Sequence, residues 1–237
     1  TSLTYEESFT ISVTNVNEEP TDIALNSTTV AENAGSNAAV GTLSKTDVDG
    51  SSWTYTLVAG SGDTDNGLFN ISGTSLRATS SLNYEGASSR SVRIRVTDNT
   101  SQTYEESFTI SVTNVNEAPT DIAAAGTTSI SESASVGASV TNGTLSETDV
   151  DAGDTHTYSE LTGGDGEAYF AVSSAGAITL QSAVDYETAT SYTYEVRVAD
   201  AGGLTYDETL TINITNASES PTDIALNSTT VAENAGS

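Results

Sequence analysis

The residues of this chain that could do chemistry are its acids, and they come in small groups kept in one order. Between positions 20 and 118 the groups are Glu32, Asp47-Val-Asp49, Asn83-Tyr-Glu85 and Asp98. Between 119 and 220 they are Glu132, Asp149-Val-Asp151, Asp185-Tyr-Glu187 and Asp200. Three polar segments punctuate them: Asn15-Val-Asn-Glu-Glu-Pro20, Asn114-Val-Asn-Glu-Ala-Pro119 and Asn216-Ala-Ser-Glu-Ser-Pro221. Carboxylate, amide and backbone oxygens mixed at this density suit a hard cation. Calcium takes roughly 6 to 8 oxygen ligands at about 2.3 to 2.6 Å with tolerant geometry, whereas magnesium asks for a strict octahedron and sheds water reluctantly.

Composition points the same way. Six Lys plus Arg stand against 33 Asp plus Glu, a formal charge of −27, which argues against a nucleic-acid or anionic-membrane partner. The expected counter-charge is a cation. Without one, two carboxylates about 4 Å apart repel by up to about 4 kcal/mol at an effective dielectric near 20. Cysteine is absent, which excludes disulfides and thiolate metal sites. No apolar run approaches the length that spans a bilayer, so no membrane insertion is expected, and the chain reads as a piece of something longer.

The elements that must position these groups repeat. Thr100 to Pro119 copies Thr1 to Pro20 at all but two positions, and Pro221 to Ser237 copies Pro20 to Ser36. The only three prolines, Pro20, Pro119 and Pro221, set a period of about 100 residues, too long for a solenoid unit and right for domains in a row. The expected organisation is the last strand and linker of a preceding repeat (1–19), two complete repeats (20–118 and 119–220), and the start of another (221–237). Within the first repeat Val92, Ile94 and Val96 alternate with Arg93, Arg95 and Thr97, and Phe108, Ile110 and Val112 alternate with Thr109, Ser111 and Thr113. In the second repeat Tyr192, Tyr194, Val196 and Val198 follow suit. A period of two with one polar face marks antiparallel sheets wet on one side. About seven such strands per repeat, parted by Gly, Asn, Asp and Ser, predict an all-β chain of tandem Greek-key β-sandwiches, immunoglobulin-like in shape.

The ordered acids on a hundred-residue β period resemble the cadherin repeat, and in particular the bacterial cadherin-like repeats in the extender regions of large calcium-dependent, RTX-type surface adhesins. The resemblance covers the whole chain. It implies that calcium ions bind between consecutive repeats. An early Glu, an acidic pair flanking a Tyr and the linker come from one repeat; an Asp-x-Asp and a late Asp come from the next. At the internal junction this implies Glu32, Asn83, Glu85, Asn114, Asn116 and Glu117 with Asp149, Asp151 and Asp200. The partial N-terminal junction would hold Asn15, Asn17, Glu18, Asp47, Asp49 and Asp98. The partial C-terminal one would hold Glu132, Asp185, Glu187, Asn216 and Glu219. Asn stands where the family usually has Asp at 83 and 114, and Glu117 stands for Asp.

The implied function is a calcium-stiffened extender on a bacterial surface, extracellular and monomeric, whose partners are its own neighbouring repeats. The rival reading is a calcium-dependent polysaccharide-binding or homophilic module. An enzyme is not expected: there is no paired base, no nucleophile elbow, and the carboxylates are claimed by cations. Asp63-Thr-Asp-Asn-Gly67 opens like an EF-hand loop but has no flanking helices, and it reads as a turn, as does Gly163-Gly-Asp-Gly166. His156, the only His, is expected to be a lone surface imidazole. Trp53, which His156 matches in the second repeat, is expected in core or corner packing, and Arg93 and Arg95 are expected to pair across strands with acids.

Overall fold

Val92, Ile94 and Val96 are all inaccessible to solvent while Arg93 and Arg95 beside them face outward, so one strand supplies both a core wall and a polar surface. The computed structural model describes residues 1–221, 223–225, 229, 230 and 233, and it divides into two units, Thr1–Val115 and Asn116–Ser237. The predicted start of a following repeat, 221–237, lies in large part outside the described residues.

The first unit has eight strands: β1 (Asp22–Leu25), β2 (Thr29–Ala31), β3 (Ala39–Thr46), β4 (Trp53–Leu57), β5 (Phe69–Ser72), β6 (Ser75–Ala78), β7 (Ser89–Asp98) and β8 (Thr103–Thr113). They form two four-stranded sheets, ordered β1-β3-β6-β5 and β2-β8-β7-β4. The opening strand is split between the sheets. β1 pairs antiparallel with β3, and after the Asn26–Thr28 step β2 pairs parallel with β8. The switch is pinned by Asn26, whose Oδ1 accepts the Thr42 N–H. Between the sheets Ile23, Leu76, Val92, Ile94, Val96 and Ile110 make the core, the burial that drives the fold.

The second unit copies this with β9 (Asp121–Ala124), β10 (Ser129–Ser131), β11 (Ser139–Thr148), β12 (Thr157–Glu160), β13 (Phe170–Val172), β14 (Ala177–Leu180), β15 (Ser191–Ala199) and β16 (Thr205–Thr215). Its two sheets are joined by one extra pairing, Ser129 with Thr141. Tyr194, Phe170 and Ile212 fill its centre, with Phe170 edge-on to Tyr192 and Tyr194.

Residues 4–14 are identical to 103–113, yet they lie outside any sheet, with Phe9, Ile11 and Val13 exposed. The reason is pairing. The copy at 103–113 has β7 on one side and β2 on the other, and among the described residues no second set of such partners stands beside residues 4–14. The chain 1–19 is strand-like in sequence and finds no partner strand among the described residues.

Candidate metal centre

Each unit gathers oxygens at two places, here termed head and tail. The head lies where β3 runs out, β4 begins and β7 turns into β8, with β11, β12, β15 and β16 in the same roles in the second unit. The tail lies where β2 ends, beside the 82–86 turn and the exit of β8, and correspondingly at β10, 184–188 and β16.

In the first head Asp98 is buried, and its oxygens are fully engaged. Oδ1 accepts the N–H of Thr100 and of Gln102, both at 2.8 Å, and Oδ2 accepts the amide of Asn17 at 2.7 Å. Burial alone would raise its pKa, but the hydrogen bonds from Asn17, Gln102 and Thr100 outweigh it and the net shift is downward. Asn15 donates to Asp49 at 2.7 Å. Glu18 is raised, first by sharing a hydrogen bond with the Asp49 carboxyl, then by burial and by the charge of Asp49. Two carboxyls set side by side mark a place short of positive charge.

The second head repeats the arrangement. Asn116 donates to Asp200 Oδ2 at 2.8 Å, the Leu204 N–H to Asp200 Oδ1 at 2.8 Å, and the Glu117 N–H to Asp151 Oδ2 at 2.7 Å. Asp149, Asp154 and Asp200 each bring an oxygen within 4.8 Å of the others. Asp154 was not among the sequence candidates. Its signal was present as a third aspartate, three residues past Asp151, in a loop that the first repeat makes shorter.

The tails are alike in both units. Glu32 is only 2% exposed; its Oε2 accepts the Tyr84 N–H at 2.7 Å and its Oε1 the Val115 N–H at 2.8 Å. Glu132 accepts the N–H groups of Tyr186 at 2.7 Å and Ala217 at 2.5 Å. Glu132, Glu187 and Glu219 have oxygens within 4.8 Å of one another, and Asn216 donates to Glu187 at 3.0 Å. Burial first, then the charges of Glu132, Glu219 and Asp185, push the Glu187 pKa up. Asn83 and Asp185 also bond within their own turns. Asn83 Oδ1 caps the Gly86 N–H, and Asp185 holds the Glu187 N–H and the Thr188 hydroxyl. Glu85 and Asn114 are exposed at the tail of the first unit.

Two expectations are corrected. His156 is not a surface imidazole: its side chain is 8% exposed, with Nδ1 3.2 Å from Glu147 and Nε2 2.9 Å from Asp149. The hydrogen bond with Asp149 raises its pKa, against the opposing effect of burial and with help from the charge of Glu147. Trp53 is not in the core. It is 42% exposed, and Lys45 Nζ lies 4.5 Å from its ring centroid. Both misreadings have one physical cause: the first residue of β4 and the residue before β12 lie beside the carboxylates, so the local acids decide their surroundings. Arg93 and Arg95 do pair with Glu105, through contacts of 2.8 and 2.7 Å.

The donors gathered in heads and tails are oxygens, and Asp49 Oδ1 and Asp154 Oδ2 are buried without a hydrogen-bond partner. Such oxygens fit a hard divalent cation such as calcium.

Residues 127–215 match the family model for the cadherin domain. Among solved structures, human protocadherin-24 EC1-2 superposes with a TM-score of 0.66 at 22% identity, over 86% of this chain and 100% of that one. The fold is a cadherin fold. Cadherin domains 1–5 of protocadherin gamma B2 superpose with a TM-score of 0.60 at 18% identity, over 87% of this chain and 42% of theirs. The protocadherin gammaB4 extracellular domain gives 0.56 at 21%, over 84% and 34%. The comparison with curated proteins found no match. The cadherin likeness agrees with the two-sheet core of each unit, and no helix among the described residues is long and apolar enough to cross a membrane.

Proposed function

We propose that this chain is a set of calcium-stiffened extender repeats from an extracellular bacterial surface adhesin, which hold binding domains away from the cell. In this reading the calcium ligands are the residues grouped by the sequence. They are Glu32, Asn83, Glu85, Asn114, Asn116, Glu117, Asp149, Asp151 and Asp200 at the internal junction, with the partial sets on either side. Asp154 adds a tenth candidate. The observation that carries the reading is repetition of two hydrogen-bonded devices. A late Asp holds a linker amide in both heads (Asp98 with Asn17, Asp200 with Asn116), and an early Glu holds the chain leaving the last strand in both tails (Glu32 with Val115, Glu132 with Ala217). Linker backbone and amides are thus fixed beside carboxylates twice over, as shared ion binding requires.

Calcium would supply the positive charge these groups lack; the chain's own part is to fix their oxygens before the ion arrives. Segments repeated as closely as 1–20 and 100–119 suit a spacer, whose work depends on number and stiffness. Small-angle scattering in calcium and in chelator tests this: the expected result is a longer maximum dimension with calcium, and an unchanged dimension without bound calcium would overturn it. The polysaccharide-binding reading has one observation in its favour, a cavity of about 290 Å³ bordered by the exposed Trp53 with Thr54, Tyr55 and Thr74. It has no aromatic counterpart in the second repeat, where His156 stands. Binding of the chain on a glycan array would move that reading to first place.

A further inference from the structure

The chain has one lysine and one histidine, and both lie on the first aspartate of an Asp-x-Asp pair. Lys45 Nζ is 3.1 Å from Asp47 Oδ2, with side-chain exposures of 7% and 0%. His156 Nε2 is 2.9 Å from Asp149 Oδ2, with 8% and 4%. The two contacting residues come from different places in the repeat, Lys45 from β3 and His156 from the residue before β12. Lys45 stands opposite Ile23 as Glu147 stands opposite Ile122, so Glu147 takes the place of Lys45 in the second repeat. Thr54 stands opposite Thr97 as Thr157 stands opposite Ala199, so His156 takes the place of Trp53. Where β11 has lost the lysine and gained an acid, the neighbouring strand has exchanged its tryptophan for a base.

In both heads the other oxygen of this aspartate is also engaged. Asp47 Oδ1 accepts the N–H of Asp49 at 3.2 Å and of Gly50 at 3.1 Å, and Asp149 Oδ1 accepts the N–H of Asp151 at 2.9 Å. A cation arriving from solution meets an aspartate already held on both oxygens. We infer that Lys45 is a resident counter-cation, which holds the first aspartate of the first head in place without metal and competes with a divalent ion for its Oδ2, while His156 contacts the corresponding aspartate of the second head. This rests on the calcium reading above. It adds that the first head carries its own brake on calcium affinity and its own metal-free support.

The Lys45 arm can be isolated because Trp53, the only Trp, touches Lys45 and so reports on the first head alone. Terbium ions, which take calcium's oxygen ligands, are titrated into the whole chain with excitation at the red edge of the Trp band, where Tyr does not absorb, and are then displaced with calcium. Lys45→Gln is expected to bind at least about threefold tighter than the parent at this head, because one opposing charge is gone, and to melt at a lower temperature in chelator. Lys45→Arg, which keeps the charge, is expected to bind within twofold of the parent.

Unchanged or weaker binding by Lys45→Gln overturns the inference. Equal tightening in both variants also overturns it, because packing rather than charge would then be the cause. If the parent gives no sensitised emission and calcium leaves its melting temperature unchanged, the calcium reading itself fails and the brake falls with it. If Lys45→Gln does not fold, Glu147→Lys in the second head gives the converse test: weaker calcium binding by calorimetry supports competition, and unchanged affinity overturns it.

Discussion

The tails of the two repeats are copies, and the heads are not. Glu32 and Glu132 each accept one N–H from the Tyr of the following turn and one from the chain past the last strand, at nearly the same distances. In the heads, Lys45 over Trp53 in the first repeat becomes Glu147 and His156 in the second, Thr100 becomes Gly202, and a loop gains Asp154. The difference follows from what each end must satisfy. A tail glutamate has two backbone donors to meet, and only a carboxylate at one position reaches both. A head aspartate needs only a polar nitrogen nearby, and that nitrogen can come from β3 or from the residue before the fourth strand.

The largest effect is therefore expected in the tails. Replacing Glu32 by Ala removes two charge-assisted hydrogen bonds and leaves the Tyr84 and Val115 N–H groups in a place where the carboxylate was shielded from water. At roughly 1.5 to 3 kcal/mol per bond to a charged group, a loss of about 3 kcal/mol or more is expected for the first repeat. Glu132→Ala should cost about as much in the second. Urea denaturation in chelator measures both, and a cost below about 1 kcal/mol for either would show that the tails are not the rigid element.

Next in size is an exchange of the head devices. Lys45→Glu alone puts a third acid against Asp47 and is expected to cost about 2 kcal/mol; adding Trp53→His should recover part of that, with a coupling of about 1 kcal/mol or more. A double variant that is merely the sum of its singles would mean the two heads are unrelated solutions.

The sheets were legible because burial imposes a period of two. Val92, Ile94, Val96, Tyr194 and Val198 all point inward where the alternation put them. The grouping of acids was legible for a similar reason, since their spacing repeats with the fold. What could not be read was which oxygen faces which donor. The side chains of Asn83 and Asp185, for example, also close their own turns, which their spacing does not tell. His156 and Trp53 lie at the starts of strands, where alternation no longer sets the environment and contacts from other loops do. The unpaired copy at residues 4–14 teaches the same lesson, for a strand pattern becomes a strand only where partners wait.

A smaller difference lies in the turn that follows each late aspartate. Ser101 sits at φ 75° where the second repeat has Gly203 at φ 90°. A left-handed backbone costs a side-chain-bearing residue roughly 1 to 2 kcal/mol, partly offset by the extra freedom glycine loses on folding. Ser101→Gly is thus expected to stabilise the first repeat by up to about 1 kcal/mol, and Gly203→Ser to destabilise the second by a similar amount. Thermal melts in chelator distinguish them, and equal shifts of the same sign would contradict the argument.

The smallest effect concerns the outer face of the long hairpins. In the first repeat Arg95 and Arg93 both reach Glu105 and lower its pKa; in the second, Glu195 stands in the place of Arg93, and only Arg197 holds Asp207, lowering its pKa as well. A carboxylate whose folded pKa is depressed contributes stability that is present above its unfolded value, 4.5 for Glu105 and 3.8 for Asp207, and that disappears as pH falls through the lower folded value. Both pairs are exposed to solvent and screened by salt, so the contributions are small. Acid titration of melting temperature at low salt should show Glu105→Gln removing part of the loss below pH 4.5, with a weaker change for Asp207→Asn. The ordering matters more than the size, because two arginines on one carboxylate depress it further below its own unfolded value than one does. If Asp207→Asn flattened the acid limb more than Glu105→Gln, the difference between the repeats on this face would lie in packing of the strands and not in the arginine pair.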